Sequence, residues 1–181
     1  MPSRPEYPSF RENIFYETFF TGAIGGSVVA LLFLVLDAIA GRALFTPSVA
    51  GSAIFFGVPP ALHDSADLEA VALFTALHFL MSGGMGLAAA LLVRAVEPDR
   101  NHPLLATLLL FVVIEGGFLL GTSILYPSMP AVLGHVRVAL VNLIAASAMV
   151  GWVHHAHHVE EQARTDAIRG PSSRASSHTN V

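Results

Sequence analysis

The chain contains no cysteine, which excludes disulfides, thiolate catalysis and iron–sulfur ligation. Lysine is absent too. All nine basic residues are Arg, a bias we read as codon usage in GC-rich DNA. Charge of either sign is scarce, 12% of 181 residues against about 25% in an average soluble domain. The net charge of -4 leaves no basic footprint for nucleic acid. There is no Gly-rich phosphate loop behind a strand, no GxSxG and no HExxH, so nothing in the chain argues for an enzyme.

What the chain has is long apolar runs. Hydrophobic residues make up 54% of it, and the mean hydropathy is +0.64. The N-terminal stretch MPSRPEYPSFRENIFYETFF places Glu6, Glu12 and Glu17 ahead of the first run and lacks a small-residue cleavage site, so it does not read as a removable signal peptide. Four runs are each long enough for a bilayer crossing, which needs about 20 residues. They are Thr18 to Leu36, extensible to Ala40 past Asp37, then Ala70 to Val93, Pro103 to Tyr126 and Pro130 to Val153. Ser9 with Glu12 forms a capping box before the first, and Asn101 or His102 can cap the third. Between the first two lies GRALFTPSVAGSAIFFGVPP. There Thr46-Pro47 reads as a helix start and Gly57 with two prolines as a stop, leaving a helix too short to span.

The predicted fold is therefore all-α: a polytopic bundle of four transmembrane helices with a short interfacial or re-entrant helix between helices 1 and 2. Residues 1–17 form a cytoplasmic or interfacial segment and 18–153 the membrane domain. Residues 154–181 form a His-rich helix end followed by a Ser-rich tail expected to be disordered. Arg4, Arg11, Arg94, Arg100, Arg164, Arg169 and Arg174 fall on one side, against Arg42 and Arg137 on the other, so the positive-inside rule predicts an inner-membrane protein with both termini in the cytoplasm.

Polar residues inside the runs are the candidates for function. His78, Glu115 and Asn142 each lie roughly ten to a dozen residues from a helix end, hence near mid-bilayer. An ionised group there costs at least about 2.5 kcal/mol, so the three are expected to face one another, with Ser82 and Thr122 on the same polar stripes. A carboxyl left dry at that depth is expected to hold its proton. Such a site would handle protons or a small ion. The alternative is a non-catalytic accessory or scaffold subunit whose polar residues only hold helices together.

Nearer the outer face, Asp37, Arg42, His135 and Arg137 read as a salt bridge or as a charged vestibule. Gly22 with Gly26, Ser82 with Gly86 and Gly117 with Gly121 offer small surfaces for close helix packing. The run WVHHAHHVEE puts His154, His155, His157, His158 and Glu161 together at the cytoplasmic end of the last helix. It reads as a polar stop with Trp152 as anchor, or as a divalent-metal site that could serve metal sensing. No cofactor is established by the sequence. Haem would need axial ligands at one depth, and His78 and His135 differ by several residues. The partners implied are the lipid bilayer, further copies of the chain or a larger membrane complex.

The segment DAIAGRALFTPSVAGSAIFFG, followed by a mid-helix His78 and a mid-helix Glu115, resembles a group of small uncharacterised bacterial four-helix integral membrane proteins. The likeness runs over most of Thr18 to Val153. It implies the same architecture and transfers no activity.

Overall fold

The computed structural model describes residues 14–62, 65–96 and 103–169. The Ser9–Glu12 capping box, the Asn101 or His102 cap and the Ser-rich tail lie outside these. The described chain is all helical. Its elements are α1 (Ile14–Ile39), α2 (Phe45–Phe56), a 3-10 turn at Pro60–Leu62, α3 (Leu68–Val96), α4 (Pro103–Leu125), α5 (Met129–Leu133) and α6 (His135–Arg169). Four stretches are long and apolar enough to cross a membrane: Ile14–Ile39, Leu68–Ala95, Pro103–Leu125 and His135–Glu160. The short apolar helix expected between the first two is α2.

The long helices are arranged around a central pair. α3 and α6 touch each other, α1 packs against both on one flank, and α4 packs against both on the other. The closest approach is between α1 and α3, where small residues remove the side chains that would hold two backbones apart. A Cβ on Gly22 would sit 2.5 Å from the Ser82 carbonyl, and one on Gly26 would sit 2.7 Å from the Ser82 hydroxyl. Gly86 lies against the Thr18 carbonyl. The third expected contact does not form, because a Cβ on Gly121 would meet nothing within 4 Å and one on Gly117 only the tip of Met85.

The helix ends follow the sequence reading in part. α1 already includes Ile14, in keeping with a helix that starts ahead of the first apolar run, and so takes in Glu17. The last crossing is broken at Gly134, whose φ of 86° no other residue adopts cheaply, so that α5 lies before the spanning α6. α6 continues through the expected His-rich helix end as far as Arg169, sixteen residues past Val153.

α2 closes one end of the bundle. It opens on Leu44 at φ 65°, a left-handed conformation that costs a leucine about 1–2 kcal/mol. Thr46 does not cap it, as the sequence suggested; the helix already includes that residue. The far end follows expectation. Gly57, at φ 67°, donates to the Ala53 carbonyl, the single bond of a left-handed glycine stop, and Val58 adds one to the Ser52 carbonyl. Gly51 seats against the Ala70 carbonyl of α3, and Ser48 accepts the Asp67 backbone N–H at 2.7 Å. Val49, Ala50 and Ala53 share one apolar core with Phe33, Met129, Leu133 and Val141. A second core, of Ala89, Val93, Ala106, Leu110, Ala146, Met149, Val150 and Val153, fills the opposite half between α3, α4 and α6.

Candidate functional site

The polar side chains of the bundle fall into three groups at different levels. At the α2 end, Asp37 is fully buried at the last turn of α1. Its carboxylate accepts the Thr46 backbone N–H at 2.6 Å and the Thr46 hydroxyl at 3.0 Å. The first N–H groups of a helix have no partner within it, so Asp37 caps α2 from another element, and its charge faces the positive end of the α2 dipole. Arg137 adds an ion pair at 3.6 Å. These bonds offset the strain at Leu44. Arg42 takes no part in this pair; its guanidinium stacks 3.8 Å above the Phe45 ring. His135 is exposed.

At the opposite end, Glu17 is fully buried. It accepts a hydrogen bond from Arg94 of α3 and lies 3.2 Å from His157 Nε2 of α6. Sequence reasoning left Glu17 in the N-terminal tail, Arg94 in a loop and His157 in a surface cluster. The structure draws all three into one knot tying α1, α3 and α6 together.

The expected midplane site is only partly assembled. Asn142, 6% exposed, donates its amide to Glu115 at 2.8 Å, joining α6 to α4. His78 does not join them. It lies on the α1 flank, where its Nε2–H donates to the Gly26 carbonyl at 3.0 Å and its ring packs between Phe74 and Phe79. The close packing of α3 on α1 brings this about, since a glycine leaves its carbonyl uncovered and an imidazole on the facing helix can reach it. Ser82 and Thr122, expected on the polar stripes, turn back to the carbonyls of His78 and Phe118 one turn earlier in their own helices. Among the described residues no hydrogen bond joins His78 to Glu115.

Glu115 is therefore set apart by its company. Between the levels of Glu17 and Asp37 it is the one further acid among the described residues. The two acids at the ends are matched by Arg94 and Arg137. Glu115 has the neutral Asn142. It is half-buried, and beside it Gly116 and Gly117 present almost bare backbone to open space.

The C-terminal histidines also divide. His157 faces Glu17, while His154 and His158 bring their Nε2 atoms to 3.0 Å of each other at the surface. The Glu161 side chain lies outside the described residues.

No protein-family model, no curated protein and no solved structure matches the chain.

Proposed function

We propose that this is a small multi-pass membrane protein whose Glu115 carboxyl, oriented by Asn142, takes up and releases a proton or a small cation within the bilayer. The observation that carries this reading is the pairing of Glu115 with a neutral amide where the other two bundle acids have arginines. At that depth an uncompensated charge is costly, so electrical balance at Glu115 has to come from a proton or cation supplied from outside the chain. Gly116 and Gly117 support the reading. Glycine inside a helix costs roughly 0.5–1 kcal/mol relative to alanine, and no close packing within the chain calls for it here. His78 is a packing residue in this scheme.

The excess of Arg at the Glu17 end supports an orientation with both termini in the cytoplasm of a bacterial cell, across the inner membrane. The test is flux of protons and of monovalent cations into liposomes holding the purified protein. Glu115→Gln keeps the shape and the Asn142 contact but cannot exchange a proton, and is expected to abolish the flux. Flux equal to wild type would overturn the proposal.

A second reading is favoured by a separate observation, the unpacked Gly117 and Gly121 on α4, which would suit a partner helix in a larger complex. Under it Glu115→Gln is silent in the flux assay, while Gly117→Leu loses a co-purifying subunit from native membranes.

A further inference from the structure

The exposed pair on α6 is independent of Glu115 and makes its own prediction. We propose that His154 and His158 form a chelating site for one divalent transition metal of the zinc, nickel or copper class. Residues four apart on a helix stand one above the other, and here the rings meet at 89° with centroids 4.3 Å apart. The two Nε2 atoms are 3.0 Å from each other. With metal–nitrogen bonds of about 2.0–2.1 Å, two ligands on one ion sit about 3.0 Å apart at a right angle and about 3.4 Å apart at a tetrahedral angle. The observed spacing, which is also that of a hydrogen bond, meets the right-angle case and needs an opening of a few tenths of an ångström for the tetrahedral one. Without metal, one ring must donate to the other, and such a hydrogen bond contributes only about 1 kcal/mol.

The chemistry selects the ion. Neutral imidazoles suit zinc, copper and nickel, whereas magnesium and calcium prefer oxygen. Among the described residues no group of three His, Cys, Asp or Glu gathers there, and a two-imidazole site of this kind has coordination positions open to water or an external ligand. The pair brackets His157, which reaches Glu17 from about 80° round the same turn. A metal clamped across residues 154 and 158 would therefore stiffen the turn that ties α6 to α1.

The test uses untagged, metal-stripped full-length protein in nanodiscs, titrated with Zn2+ or Ni2+ against a chromophoric chelator. The expected result is one ion per chain. Either His154→Ala or His158→Ala should weaken it at least about ten-fold, since even outer-shell partners of a metal ligand are worth that much. His155→Ala should leave it unchanged, as that ring is exposed and outside the pair. The thermal midpoint should rise with metal for wild type and His155→Ala and stay put for His154→Ala and His158→Ala. Absence of binding, or an equal loss in His155→Ala, would overturn the site. Glu115→Gln should bind metal normally, which separates this proposal from the previous one.

Discussion

At the scale of single residues, Glu17 is the group on which most depends. A carboxylate with no solvent exposure is tolerated only when its charge is matched and its oxygens are bonded, and Arg94 and His157 do both. Glu17→Gln leaves the Arg94 guanidinium facing a neutral group. Breaking a fully buried pair from one side costs about 3–5 kcal/mol; the Arg94 side chain is 31% exposed, so water meets part of its charge and this variant should lose less, about 1–3 kcal/mol, in a denaturant titration in micelles. The double variant Glu17→Gln, Arg94→Gln should recover part of the loss. Equal stability of Glu17→Gln and wild type would show the knot to be incidental. The pair was hard to read from the sequence because its partners lie 77 and 140 positions away. A glutamate just ahead of an apolar run looks like a polar flank. A cue was present nonetheless, since Glu17, Thr21 and Gly25 recur at four-residue spacing and all three are buried.

At the scale of elements, the glycines of α1 and α3 do a different job from those of α4, and the difference fixes the sign of a substitution. Gly86→Ala pushes a methyl group into the Thr18 carbonyl and should cost about 1–3 kcal/mol as the helices part. Gly121→Ala adds its methyl in open space within a helix and should stabilise by roughly 0.5–1 kcal/mol. Thermal midpoints in one detergent compare the two directly, and matching signs would contradict the packing described. Spacing alone could not separate these cases. Gly22, Gly26, Ser82 and Gly86 read as a close-packing face and are one, while Gly117 and Gly121 show the same period and face no neighbour. Helix number, type and approximate extent were legible because about 20 apolar residues in a row admit few other structures. The rotation of α3 that sends His78 to α1 rather than to Glu115 was not, since it is set by packing between helices distant in sequence. Glu115 with Asn142 was recovered; the division of the histidines on α6 was not.

At the scale of the whole molecule, two ion-pair layers bracket the bundle with the same spacing on two antiparallel helices. Glu17 and Asp37 are 20 positions apart on α1, and their partners His157 and Arg137 are 20 apart on α6. At 1.5 Å per residue each interval is about 30 Å, the thickness of a typical hydrocarbon core. Tyr16 and Trp152 are exposed near the Glu17 layer, where amphipathic aromatics favour the membrane boundary. The layers thus act as a ruler: each charge reaches the headgroup region only when the bilayer matches the interval. A thinner bilayer strands apolar side chains in water, and a thicker one draws Arg94 and Arg137 into oil, at a cost of fractions of a kcal/mol per Å. Unfolding midpoints in nanodiscs whose hydrocarbon cores range from about 22 to about 38 Å should accordingly pass through a maximum near 30 Å. A steady rise or fall across that range would mean that the two layers do not sit at the two membrane surfaces.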